Sequence, residues 1–156
     1  MNSDDPKKHV PRFAGWDAKV RESFAKQNAM HSLGVEITEL EPGLITLAMP
    51  FNPDFTQQHG FMHAGAITTA MDSACGYAAH SLMDEDAAVL SIEFKSNFLA
   101  PAQGDRFLFR AEVVKSGRTI TVAEATAYAA EDDKEKPIAN MTATLMSVRD
   151  RPDVSE

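Results

Sequence analysis

The sequence predicts an α+β fold in which a long antiparallel sheet wraps around one central, buried helix. Three observations predict it. From Ala64 to about Leu82 the residues are unusually small and apolar, and Ile67, Met71, Ala74, Cys75 and Ala78 keep the helical period. Downstream, four segments read as strands joined by short turns, so they are expected to form an antiparallel meander. The third observation is length, since 156 residues suit one domain with a single core.

The elements follow in chain order. Residues 1–11 read as a mobile polar tail, 12–148 as the single domain and 149–156 as a second mobile tail. Trp16, Val20 and Phe24 recur every fourth residue, and Met30 and Leu33 extend the apolar side. That predicts one amphipathic helix over about Trp16 to Ser32, stopped by Gly34. Val35–Leu40 and Leu44–Met49 flank the turn signature Glu41-Pro42-Gly43 and read as a hairpin. Pro50 and Pro53 end it and open an irregular segment through Phe61. Beyond the central helix, Leu90, Ile92, Phe94 and Phe98 alternate with polar residues. Arg106–Lys115, Arg118–Ala130 and Ile138–Val148 follow, punctuated by Gly104-Asp105, Ser116-Gly117 and the charged turn Glu131–Lys136.

Composition excludes several function classes. There are 15 basic against 23 acidic residues, a net charge of −8, which makes the chain a poor partner for nucleic acid or an anionic membrane surface. The lone cysteine, Cys75, allows no intrachain disulfide and no Cys-rich metal site. Nothing approaches the roughly 18 consecutive apolar residues of a membrane-spanning helix. No apolar segment follows the charged N-terminus as in a secretory signal, so a cytoplasmic location is expected.

One residue does not fit the apolar helix. Between Thr56 and Met83 the only Asp, Glu, Lys or Arg is Asp72. Burying an unpaired carboxylate costs several kcal/mol, so Asp72 must find partners, shift its pKa or face a cleft. A bond to Thr68, Thr69 or Ser73 would make it structural; a partly dry cleft would make it a general base or nucleophile. The start of the same helix favours chemistry. Gln57-Gln58-His59-Gly60-Phe61-Met62-His63-Ala64-Gly65 sets polar groups and glycines where unpaired backbone N–H groups point outward. An ester or thioester under attack develops negative charge on its carbonyl oxygen, and such a donor would hold it. Asp72 lies eight residues beyond Ala64, about 12 Å along one helix, too far for both to touch one carbon. If they work together, Asp72 must meet the helix tip of another copy, which predicts a dimer with shared sites.

The stretch Gln57 to Ala79 continues through Ser91-Ile92-Glu93-Phe94 to Ala100-Pro101-Ala102-Gln103-Gly104-Asp105. It resembles the hotdog-fold acyl-CoA thioesterases of the PaaI type, and the resemblance runs from about Leu33 to Val148. Its core is a His-Gly-Gly-like helix opening with Asp seven residues after the last Gly, here His63-Ala64-Gly65 and Asp72. The resemblance implies a hotdog fold, an acyl-CoA substrate and no cofactor. It also implies roles. The Ala64 N–H polarises the thioester carbonyl, and Asp72 of the partner subunit activates water or attacks directly. Gln57 orients the water or the carbonyl, and Ser91 assists Asp72. Two departures stand out. Ala64 replaces a Gly, keeping the N–H but losing freedom at positive φ. Gln57 stands where related enzymes often carry Asn, so its reach differs.

Other candidates are weaker. His59 and His63 are four apart, but Gly60 breaks any helix between them and no third ligand is suitably spaced, so no metal site is read. His63 is expected to orient the helix entrance by bonding to backbone. His9, His31 and His80 read as surface or tail residues, and Cys75 as a core thiol. Ser73 lacks a nucleophile pattern such as Gly-x-Ser-x-Gly. Coenzyme A phosphates call for local positive charge. Residues 87–130 carry five basic against four acidic residues, whereas 131–156 carry four against seven. Lys115 and Arg118 flank the Ser116-Gly117 turn, which is either a phosphate site or a solvated hairpin end. Phe55, Phe61 and Met62 line either an acyl channel or an interface, and Asn97 is a further substrate-binding candidate. Self-association as a homodimer or a dimer of dimers is expected. Two alternatives stay open on the same fold: a dehydratase of 3-hydroxyacyl thioesters using His59 or His63, and a non-catalytic acyl-CoA-binding module.

Overall fold

The computed structural model describes residues 9–154. Two short helices, α1 (Trp16–Ala25) and α2 (Asn28–Leu33), precede the hairpin of β1 (Glu36–Glu41) and β2 (Leu44–Pro50). A 3₁₀ turn, Pro53–Phe55, leads to α3 (Ala64–His80). The chain then forms β3 (Ala88–Phe98), β4 (Arg106–Ser116), β5 (Ile120–Glu131) and β6 (Lys134–Val148). All six strands make one antiparallel sheet, and α3 packs against its inner face, as the sequence predicts.

Small residues set the close approach of helix and sheet. Ala70, Ala74 and Ala78 of α3 are fully buried, and so are Ala123, Ala127, Ala139 and Ala143 on the strands. Phe107, Phe109, Met141 and Leu145 fill the space beside this contact. Gly34 ends α2 in the left-handed region, at φ 70°, the conformation a helix-stopping glycine supplies.

Three expectations need correction. The single helix over Trp16–Ser32 is broken: Gln27 is extended, and its side chain accepts a hydrogen bond from Ser73 Oγ at 3.1 Å. The break lets Val20 in one piece and Met30 and Leu33 in the other all reach the core. The four-strand meander holds only for β4, β5 and β6. The sheet order is β1-β2-β4-β5-β6-β3, so β3 pairs with β6 at the far edge. The connection 99–105 spans three strand spacings, about 14 Å, well within the reach of its extended chain. His80 is buried rather than superficial. Its Nε2 lies 3.3 Å from the Ala87 carbonyl, and its ring lies beside Tyr77.

Residues near both ends of the chain make defined contacts. His9 Nε2 lies 3.0 Å from the Val113 carbonyl oxygen. Arg12 and Arg149 converge on Asp84. Desolvation alone would raise the Asp84 carboxyl, but these two guanidiniums together hold it below its ordinary range. Among the described residues no helix is long and apolar enough to cross a membrane.

Candidate active site

The tip of α3 assigns a separate task to each residue of His63-Ala64-Gly65. His63 is the N-cap, in extended conformation, and its Nδ1 accepts the Gly65 N–H at 2.8 Å. A Cβ on Gly65 would stand 3.0 Å from that nitrogen, so glycine makes room for the cap. The His63 N–H donates to the Phe55 carbonyl, and the Ala66 and Ile67 N–H groups donate to the His63 carbonyl. The Ala64 N–H has no acceptor among the described residues, and Ala64 is exposed. It is the open donor at the positive end of the helix dipole. Ala64 is not among the residues at positive φ, so a side chain in place of the usual Gly brings no strain.

Gln57 stands beside this donor in a tight loop. Its N–H donates to the Phe61 carbonyl at 2.8 Å, and its own carbonyl accepts from the Gly60 N–H at 2.9 Å. Gly60 takes φ 84° to close the turn. The Gln57 side-chain oxygen accepts the His59 N–H, which leaves the amide nitrogen as the end free to donate. Gln57, Phe61, Met62 and Ala64 share one groove of about 490 Å³. Phe55 falls elsewhere, in a second groove of about 440 Å³ with His63, Gly65 and residues of α2.

Asp72 lies two helical turns from the tip on the same helix, half-buried. Ser91 Oγ donates to its Oδ1 at 2.7 Å, the one hydrogen bond this carboxylate makes among the described residues. Of Thr68, Thr69 and Ser73, the alternatives raised by sequence, none bonds Asp72 among the described residues: Thr69 donates to the Gly65 carbonyl and Ser73 to Gln27. Cys75, one turn on, is fully buried. Burial pushes its thiol up to about 12, and the Asp72 charge adds to the shift. A thiol held protonated in this way packs and does not attack.

Ser91 belongs to β3, an edge strand, so the carboxylate lies against an open edge of the sheet. The register shift between Ser91 and Glu93 inserts Ile92 as a bulge. Before the bulge Ser91 points to the helix; after it the alternation is reversed. Asn97 is therefore on the outer face, bonded to Lys95 and Asn140 and not beside Asp72. Lys115 and Arg118 are exposed at the β4–β5 hairpin tip. The Gly117 N–H there is taken by the Ile120 carbonyl at 2.9 Å, and a Cβ on Gly117 would strike that oxygen. That glycine closes the turn.

A single antiparallel sheet wrapped in this strand order around one small-residue helix is the hotdog fold. A crystal structure of a thioesterase family protein from Silicibacter pomeroyi matches with a TM-score of 0.85 and 61% identity, covering 86% of this chain and 99% of that one. The PaaI protein of the E. coli phenylacetic acid degradation operon shares the fold, with a TM-score of 0.77 at 19% identity over 85% of this chain and 93% of its own. The medium/long-chain acyl-CoA thioesterase YigI of Escherichia coli is 25% identical over 130 residues, covering 74% of this chain and 82% of YigI. The model of the thioesterase superfamily matches residues 59–136, half of the chain. The chain belongs to the thioesterase superfamily.

Proposed function

We propose that the protein hydrolyses acyl-coenzyme A thioesters to the free acid and coenzyme A, as a homodimer with shared sites. The carrying observation is the state of the α3 tip. Its neighbouring N–H groups are committed, and the Ala64 N–H stands open beside Gln57. That donor holds the thioester oxygen, and the Gln57 amide nitrogen, left free by the bond to its oxygen, assists. Asp72 of the partner subunit takes a proton from water, whose oxygen bonds to the carbonyl carbon. The negative charge that develops on the carbonyl oxygen is held at the Ala64 N–H. The carbon–sulfur bond then breaks, and the proton passes from Asp72 to the leaving sulfur. Ser91 holds one carboxylate oxygen and leaves the other for water. The about 12 Å between Ala64 and Asp72 on one helix requires the second copy, and β3 is the edge that would receive it. The exposed Lys115 and Arg118 are candidates for the coenzyme A phosphates.

The test uses thiol release from a panel of acyl-CoAs. Asp72→Asn should lower kcat by about 10²–10⁴-fold. Ala64→Pro removes only the donor at a position where proline fits a helix, with about 10²–10³-fold loss. Mixing the two variants after unfolding should restore activity well above either alone, because each mixed dimer keeps one intact site. A panel with no turnover, or an Asp72→Asn enzyme equal to wild type, would refute the hydrolysis. Impaired parents that refold and mix yet show no complementation would refute the sharing.

A further inference from the structure

Two grooves flank the tip of α3, and they differ in what they offer a substrate. The groove on the α2 side meets Gly65, whose N–H is already held by His63. The groove on the other side meets Ala64, whose N–H is open. Among the described residues lining that groove, Gln57 carries the only polar side chain, and it shares the lining with Ala64. The other described lining residues carry no charge and no hydroxyl. Met62, Ile67 and Ile138 form its buried floor, and Phe98 and Leu99 its exposed rim.

The walls are pinned by backbone and not by side-chain packing alone. The Met62 N–H donates to the Ala102 carbonyl at 3.0 Å, and the Leu99 N–H donates to the Ile138 carbonyl at 2.8 Å. A groove held in this way keeps its length when a substrate enters. Phe98 lies on the open edge strand, so a second copy docked at β3 would cover the rim on that side.

From these features we infer that the acyl group of the substrate lies in the groove of Met62, Ile67 and Ile138, that it is apolar and uncharged along its length, and that Ile138 and Ala102 set how long it can be. This rests on the hydrolysis proposed above and adds the acyl class and the residues that select it. A carboxylated or hydroxylated acyl group would lose water to a wall with no partner for it. The selection is by fit, because each methylene that an apolar pocket admits or excludes changes the rate by about tenfold or more.

The experiment compares wild type, Ile138→Ala and Ala102→Leu. It measures kcat/KM for butanoyl-, octanoyl-, palmitoyl- and malonyl-CoA, together with the Kd of S-octyl-CoA, a thioether that cannot be hydrolysed. Wild type should prefer octanoyl- over malonyl-CoA by at least about tenfold. Ile138→Ala should raise palmitoyl- relative to octanoyl-CoA. Ala102→Leu fills the groove from the opposite wall without emptying the core. It should favour butanoyl- over octanoyl-CoA by about tenfold and weaken S-octyl-CoA by a similar factor. Malonyl-CoA cleaved as well as octanoyl-CoA would overturn the inference. So would a folded Ala102→Leu enzyme with the wild-type chain-length profile. If no thioester is cleaved, yet S-octyl-CoA binds and Ala102→Leu weakens it, the groove stands and the hydrolysis falls.

Discussion

At one edge of the sheet β1 runs for six residues and carries Glu36, Glu39 and Glu41; at the other β3 runs for eleven and exposes Leu90, Ile92, Phe94 and Phe98. Both strands leave a row of backbone donors and acceptors facing outward. A strand that adds to β1 would bring its own groups against three carboxylates, and the register shift between Ile37 and Glu39 interrupts the ladder. β3 has charges only at Glu93 and Lys95, and 39–52% of each of its four large apolar residues is open to water. One edge is guarded by carboxylates, and the other is the edge that the proposed dimer would use. The apolar edge is also the one that carries Ser91, which donates to Asp72.

The strongest way to break this comparison is to charge the apolar edge. Ile92→Lys with Phe94→Lys should yield a monomer by analytical ultracentrifugation. Acyl-CoA hydrolysis should fall by about 10²–10⁴-fold, because no partner acid then reaches the α3 tip. A monomer with full activity would show that one chain holds a whole site. A smaller effect sharpens the link between edge and site. Ser91→Ala removes one hydrogen bond to a carboxylate, so kcat should drop about tenfold with KM nearly unchanged and the dimer intact. Opening the guarded edge should leave catalysis alone: Glu36→Thr, Glu39→Thr and Glu41→Thr together should keep the activity per subunit. Light scattering should then show assemblies that grow with concentration.

The smallest effect concerns pH. Folding raises the Cys75 thiol from an ordinary value of 9.0 to about 12, so above pH 9 the unfolded chain releases a proton that the native chain keeps. Stability due to this group is complete below pH 9 and declines as pH rises toward 12. Chemical denaturation should show a shallower alkaline decline in Cys75→Ala than in wild type, and native Cys75 should resist alkylation at neutral pH.

Much of this was legible in the residues, and the exceptions have physical causes. Asp72 stood out because it is alone in a long apolar stretch. The buried helix stood out because its small side chains repeat at the helical period. Gly34 marked a helix end and Gly117 a turn because no other residue fits those backbones as easily. The break at Gln27 carried no such mark, since neither glycine nor proline stands there; packing onto α3 decides it. The order of β3 and β4 was hidden because short connections suggest neighbours, whereas the extended chain of 99–105 reaches past the two strands between them. His80 was misjudged from polarity alone, although it shares the buried face of α3 with Ser73 and Tyr77. Strict alternation of polar with apolar residues along β3 would put Asn97 on the same face as Ser91. A bulge at Ile92, which has no sequence signature, reverses that parity. Within the site, the open Ala64 N–H could be anticipated from its place at the helix start. So could a bond from the His63 side chain to the backbone at the helix entrance; that it takes the Gly65 N–H depends on a side-chain rotation that the residues alone do not mark.

The pairing of β3 with β6 has a consequence for synthesis. Ala88 waits for Val148, and Phe98 for Ala139, so a growing chain displays its most apolar edge long before the strand that completes the sheet leaves the ribosome. Until then the helix-facing side of β3 has only α3 to shelter it. Truncation near residue 133 would leave this segment permanently unmatched, and such a product should be found in aggregates and not in the soluble fraction.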